Sequence, residues 1–202
     1  MLTSDSNDQM YSIEILKEYA FVDSVNLGNH ILAIRSQPYQ HKLYVHLYTK
    51  SSKGLIRFEA FDSLDTQFGD TNPIFEDFNN DALMDFKIRA GTGARGSNEL
   101  FYLFIQNGKE NFIRIKGAEE KPNLQYDSVN HTLTSTAYWA GTSFIDYVIK
   151  GDTLVPVKGV DVYLDSPKRT IHKHYKFSDK GNEILVGIDS VEDDGAGLYS
   201  RN

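Results

Sequence analysis

The chain reads as an all-β domain, and three observations carry that reading. From about Ile31 onward apolar residues alternate with a period of two, the spacing that puts every second side chain on one face of a strand. The runs are short and punctuated by Gly, Asn, Asp, Ser and Pro, the residues of tight turns. Twelve Tyr and twelve Phe stand against a single Trp, an aromatic bias that suits pleated, half-buried surfaces. No apolar stripe of helical period extends beyond about three turns. Roughly ten to twelve short strands at this spacing predict antiparallel meanders in an irregular β-propeller-like arrangement, with a β-sandwich as the alternative. No strict internal repeat marks individual blades.

Residues 1–9 are small and polar and read as a flexible tether, residues 10–190 as a single β-rich domain, and residues 191–202 as an acidic, Gly-containing tail. The segment 11–22 fits either a strand or a short helix. Leu43, Val45 and Leu47 share one face of a strand and Tyr44, His46 and Tyr48 the other. The turn Ser51-Ser52-Lys53-Gly54 folds it back onto a strand through Ile56, Phe58 and Ala60. Met84, Phe86 and Ile88 alternate with Asp85, Lys87 and Arg89, so this strand is expected to face a core on one side and water on the other. Residues 100–105 are apolar on both faces and predict a central strand, which Asn107-Gly108 turns back onto Phe112, Ile113 and Ile115. Further strands are expected over 132–138, 144–149 and 154–157, the last two joined by Lys150-Gly151-Asp152, and over 171–177 and 184–188.

Composition removes several classes of function. A net charge of -7, from 28 acidic and 21 basic residues, repels phosphate backbones and anionic lipid, so nucleic acid is not an expected partner. The absence of cysteine excludes disulfides, zinc-thiolate sites and thiol nucleophiles. No stretch approaches the roughly 18 to 20 apolar residues of a membrane-spanning helix. The polar first nine residues read as the start of a trimmed sequence whose native form carries an export signal or a lipid anchor.

The most specific chemistry lies in the run Asp77-Phe78-Asn79-Asn80-Asp81-Ala82-Leu83-Met84-Asp85. In a calcium loop the first, third and fifth positions turn oxygens inward, here Asp77, Asn79 and Asp81. The seventh contributes its backbone carbonyl, here Leu83, and the ninth, Asp85, completes the cage. Three carboxylates within nine residues repel one another unless a cation sits between them. Two positions depart from the consensus: the sharp-turn Gly is Ala82, and the bidentate Glu is Ile88. Weak Ca2+ binding and a metal-free turn held by Asx-type hydrogen bonds are both open readings.

Other constellations fail on context. Residues 91–96 match G-x-G-x-x-G, yet a strand follows where a dinucleotide site needs a helix, so the stretch reads as a hairpin loop with Arg95 at its tip. His172 and His174 share one side of a strand and could take a metal with Asp161 or Asp165, but no third ligand stands at a diagnostic spacing, and solvated histidines are the simpler reading. His41 and His46 fall on opposite faces. Ser97 and Ser143 lack a nucleophile elbow, and no catalytic residue is assigned. Tyr138, Trp139 and Tyr147 flank the short loop 140–143 and supply either interface anchors or core.

With these residues in view, the middle of the chain resembles the FG-GAP/VCBS-repeat type of bacterial sequence, particularly short relatives that act as immunity proteins or inhibitors of cell-wall lytic effectors. The resemblance rests on Ile74 through Asp81, on Met84-Asp85-Phe86-Lys87-Ile88, on the loop 91–98 into Tyr102-Leu103-Phe104, and on 141–147 with 150–157. It covers about 85 residues, from Pro73 to Val157. It implies a propeller-like fold, calcium at the aspartate loop and residence in the periplasm or on a lipid anchor. The function expected is therefore inhibition of a basic secreted or lytic enzyme through Arg95, Tyr138, Trp139 and Tyr147, without catalysis. A carbohydrate- or surface-binding module is the second reading, and a hydrolase whose dispersed carboxylates meet only in the fold is the third.

Overall fold

The structure, a computed structural model, describes residues 10–192 apart from Ser12, Val25, Gly69, Asp70, Lys109 and Glu110. The expected tether 1–9 and the tail from residue 193 lie outside the described residues. The described chain is all-β, with three antiparallel sheets and none closed into a barrel. Its strands are β1 (Met10–Tyr11), β2 (Phe21–Asp23), β3 (His30–Gln37), β4 (Lys42–Ser51), β5 (Gly54–Asp65), β6 (Ile74–Glu76), β7 (Asp85–Gly93) and β8 (Asn98–Asn107). They continue as β9 (Asn111–Ile115), β10 (Gln125–Asp127), β11 (Thr132–Tyr138), β12 (Thr142–Lys150), β13 (Thr153–Ser166), β14 (Arg169–Phe177) and β15 (Glu183–Glu192). The sheets run β1-β5-β4-β3-β2, β6-β7-β8-β9 and β10-β11-β12-β13-β14-β15, so nearly every strand pairs with its sequence neighbour. The described residues group into two compact units. The first holds the described residues up to Asp77 with 81–91 and 102–114; the second holds 78–80, 92–101 and the described residues from 115.

In the first unit the β4–β5 hairpin forms where the turn residues place it. Ser51 Oγ donates to the Gly54 carbonyl at 2.9 Å, and Gly54 takes φ 146°, a region closed to bulkier residues. The ambiguous segment 11–22 resolves into the end of β1, a 3-10 turn over Ile13–Glu18, and β2. It has a packing role: Tyr11, Leu16 and Tyr19 cover Ile31, Ala33, Tyr48 and Leu55, which buries the second face of β3 and β4. A separate aromatic group joins Phe61, Phe86, Phe104 and Phe112. Phe86 stacks on Phe104 at 4.7 Å between ring centroids, and Phe61 meets Phe104 at 4.8 Å. Rings of this size dominate the apolar area a small core removes from water.

One strand departs from its pattern. The alternation at 84–89 predicted a wet face for β7, yet Asp85, Phe86, Lys87 and Ile88 are all buried, while Met84 just before the strand is exposed. β7 is an interior strand, paired with β6 on one edge and β8 on the other, and alternation alone does not report what covers its two faces.

In the second unit β10 to β15 form a six-stranded meander whose cores include Leu133, Tyr147 and Ile171. β13 is far longer than the sequence suggested, continuing past Pro156 to Ser166. Proline has no N–H to give a ladder, and the pairing shifts there: Tyr147 lies opposite Pro156 and Asp146 opposite Lys158, leaving Val157 as an inserted residue. The edge strand β15 exposes Ile184, Leu185, Val186, Ile188 and Val191.

Candidate functional site

The 77–85 loop is shaped by its first carboxylate. Both oxygens of Asp77 accept backbone N–H groups, from Asp81 at 3.2 Å and Ala82 at 2.9 Å, and Asp81 Oδ1 accepts the Leu83 N–H at 2.8 Å. These bonds wind the chain back around its own acidic side chains. Asn80 and Ala82 both take positive φ, 60° and 64°, so Ala82 occupies the left-handed turn that calcium loops give to glycine. The substitution is thus accommodated at a cost of roughly 1 kcal/mol, and the bend is kept. Asp85 differs from its neighbours. It is 0% exposed, and its Oδ1 accepts the Gln106 N–H at 2.8 Å, which ties the loop's end to β8. Asn79 is exposed. By type, Asp77, Asp81, Asp85 and the Leu83 carbonyl are the oxygens that a hard divalent cation would take, but the Asp77 carboxylate is turned onto backbone N–H groups and Asp85 onto that of Gln106.

The second site is built from residues far apart in sequence. Arg95 and Ala94, with Ser97, line one shallow cleft of about 270 Å³ together with Tyr138 and Trp139. Ala94 and Arg95 both adopt left-handed backbone, φ 44° and 58°, which turns the loop tightly after β7. Asn98 locks the two walls together. Its amide donates to the Tyr138 carbonyl at 3.1 Å while its Oδ1 accepts the Tyr138 N–H at 2.8 Å, as a cross-strand partner would. Asn123 braces the same region, donating to the carbonyls of Ser97 at 3.0 Å and Thr136 at 2.8 Å. Gly141 sets the position of Trp139: its carbonyl accepts the Trp139 N–H at 3.0 Å, and a Cβ there would stand 2.5 Å from the Val162 carbonyl oxygen. Trp139 is 56% exposed, its ring 6.4 Å from that of Tyr163. Beyond it Lys173 sits over the Tyr163 ring, which raises the lysine's pKa through a hydrogen bond to the phenol. The exposed Trp139 ring of the cleft thus adjoins the partly buried Tyr163 and Lys173, ring and cation types that anchor protein interfaces.

Tyr147 is not part of this cleft. It is 5% exposed and lines a different cavity with Phe78, Asn79, His131 and Leu133; burial there pushes its phenol up to about 12. The expected surface thus keeps Arg95, Tyr138 and Trp139 in one place and sends Tyr147 inward.

Two groups were missed from the sequence. His46 Nε2 lies 2.6 Å from Asp62 Oδ1, its Nδ1 is bonded by the Tyr19 hydroxyl, and Tyr19 meets the Tyr48 hydroxyl at 2.8 Å. Burial holds the imidazole below its ordinary value in spite of Asp62, and pushes the Tyr48 phenol upward. His172 and His174 do share one side of β14, but neither Asp161 nor Asp165 joins them. Asp161 pairs in register with Lys173 on the other side, and Asp165 faces Arg169 at 3.5 Å. The carboxylate beside them is Asp189, on the next strand. Nothing in the local spacing announces a partner 15 residues away across a turn.

No protein-family model matches the chain, and no curated protein matches it. Among solved structures it is similar to a protein described as "Structure of a Xanthomonas Type IV Secretion System related protein". The likeness covers 83% of this chain and 92% of that one, with a TM-score of 0.54 and 15% identity. At that identity the similarity speaks for a shared all-β fold.

Proposed function

We propose that this protein is a binding domain that inhibits a cationic cell-wall lytic enzyme, engaging it through the Arg95–Trp139 cleft and performing no chemistry itself. The observation that carries the reading is the meeting of Arg95, Tyr138 and Trp139, from loops about 40 residues apart, in one cleft fixed by Asn98. Exposed Trp, Tyr and Arg supply most interface hot spots. The net charge of -7 steers the domain toward a basic partner, with an on-rate that falls as salt rises. The FG-GAP/VCBS-like residues and a fold like that of a type IV secretion related protein support an assignment to the bacterial cell envelope. In this reading the 77–85 loop binds Ca2+ with modest affinity, roughly 10⁻⁴ to 10⁻³ M as in extracellular modules, and serves the fold alone.

The test is an inhibition titration against a panel of cationic peptidoglycan-hydrolysing enzymes, with labelled peptidoglycan as substrate. Dose-dependent inhibition of at least one enzyme, weakened by Trp139→Ala, supports the reading. Absence of inhibition across the panel, with retention on immobilised glycan instead, moves the function to carbohydrate binding.

A further inference from the structure

We propose that His172, His174 and Asp189 form a binding site for a borderline transition-metal ion of the zinc class, separate from the calcium-type loop. The strand register builds the site. His172 and His174, two apart on β14, project to the same side, and Asp189 of β15 is the direct cross-strand partner of His172. The carboxylate lies between the two rings, with His172 Nδ1 3.2 Å from Oδ1 and His174 Nε2 2.9 Å from Oδ2. All three ligand atoms fall within 4.8 Å of one another.

These separations, those of hydrogen-bonded His–carboxylate pairs, are also compatible with ligands on one ion. Metal–ligand bonds of about 2.0 to 2.1 Å at octahedral or tetrahedral angles place adjacent donor atoms roughly 2.8 to 3.4 Å apart, a range that holds both N–O distances. Both rings are partly exposed, so an ion can reach them from solvent. Two imidazoles with one carboxylate favour Zn2+, Cu2+ or Ni2+ over Ca2+, which prefers an all-oxygen cage. Each N–H···O contact would be replaced by a bond from nitrogen to metal, with release of any proton on that nitrogen. The neighbouring cations are engaged elsewhere: Lys173 lies over Tyr163 on the opposite side of β14, and Arg169 faces Asp165. Three protein ligands leave positions open to water or to a donor from another molecule. An ion here would also clip β15, the outermost and most exposed strand of its sheet, to β14.

The test uses the full chain, stripped of metal and then held in about 1 mM CaCl2 so that the oxygen loop is supplied with its own cation. ZnCl2 is titrated while heat, melting temperature and the ring 15N resonances of histidine are followed. The expected result is one zinc per chain, a rise in melting temperature, and shifts confined to His172 Nδ1 and His174 Nε2. Asp189→Asn should weaken binding at least about tenfold and His172→Ala with His174→Ala should abolish it, while Asp81→Ala leaves it unchanged. Because all three positions lie on the sheet surface, a cooperative urea transition in each variant reports that it has folded. Zinc binding that survives the double histidine variant, or the absence of any zinc response in the wild type, overturns the proposal.

Discussion

The 77–85 loop and the Arg95–Trp139 cleft reach opposite ends of the same design problem. The loop gathers its polar groups from nine consecutive residues and directs them inward, against its own backbone N–H groups and, through Asp85, against β8. The cleft gathers its groups from two distant loops and leaves them facing outward, with Trp139 more than half exposed. One arrangement spends its hydrogen bonds on the shape of the chain. The other spends only Asn98, Asn123 and Gly141 on shape and keeps its large side chains uncommitted. The difference teaches that the most recognisable motif need not be the site of function: in the proposed reading the loop serves stability and the cleft serves recognition.

Breaking the loop at its buried end should give the largest effect. Asp85→Ala leaves the Gln106 N–H without its acceptor in a fully buried place, and is expected to lower unfolding free energy by about 2 to 4 kcal/mol in urea melts. A loss below about 0.5 kcal/mol would mean that the loop does not anchor the fold.

Breaking the cleft should act on binding alone. Trp139→Ala is expected to weaken the partner complex by about 2 kcal/mol, roughly thirtyfold, with a stability change within about 0.5 kcal/mol. Gly141→Ala should mimic it by displacing the loop from β13, since the added Cβ has no room beside the Val162 carbonyl. If Gly141→Ala binds as the wild type does, Trp139 is not held in place by this contact.

A smaller effect, read by pH, lies outside both regions. The imidazole of His46 titrates below its ordinary 6.5 in the folded protein because burial disfavours its charged form. As pH falls the unfolded chain takes up the proton first, so the stability that His46 contributes is present above pH 6.5 and is lost as pH drops through the folded value. Urea midpoints should therefore decline below about pH 6.5, and His46→Gln should flatten that slope. A variant with the wild-type slope would place the titration elsewhere.

The smallest expected effect is calcium itself. Saturating the loop should stabilise the protein by about 1 kcal/mol, seen as a modest rise in melting temperature that Asp81→Ala removes. Millimolar calcium that leaves the wild-type transition unmoved would reduce the loop to a turn.

What the sequence made legible follows the same division between local and distant. The strands, the β4–β5 hairpin and the turn of the 77–85 loop depend on period, turn residues and Asx geometry, all of which lie within a few positions of one another. Arg95 and Trp139 could be named as anchors by type, but their meeting depends on Asn98 pairing with Tyr138 across 40 residues, which no spacing records. Tyr147 carries the same chemistry as Tyr138, and only the position of its strand decides that it points into the core. Asp85 and Lys87 look like a wet face because alternation reports two faces of a strand, not what covers them. Asp189 was invisible as a neighbour of His172 for the same reason as the cleft: register between strands is a property of the sheet.

The central claim is that recognition resides in the cleft and not in the calcium-type loop, and a single comparative titration tests it most directly. The susceptible cationic peptidoglycan hydrolase is titrated with wild type, Trp139→Ala, Arg95→Ala and Asp81→Ala in the same calcium-containing buffer. The account predicts inhibition constants raised about thirtyfold for Trp139→Ala and about tenfold for Arg95→Ala, with Asp81→Ala matching the wild type. Equal inhibition by the two cleft variants, with loss of inhibition in Asp81→Ala, would contradict it and assign recognition to the loop.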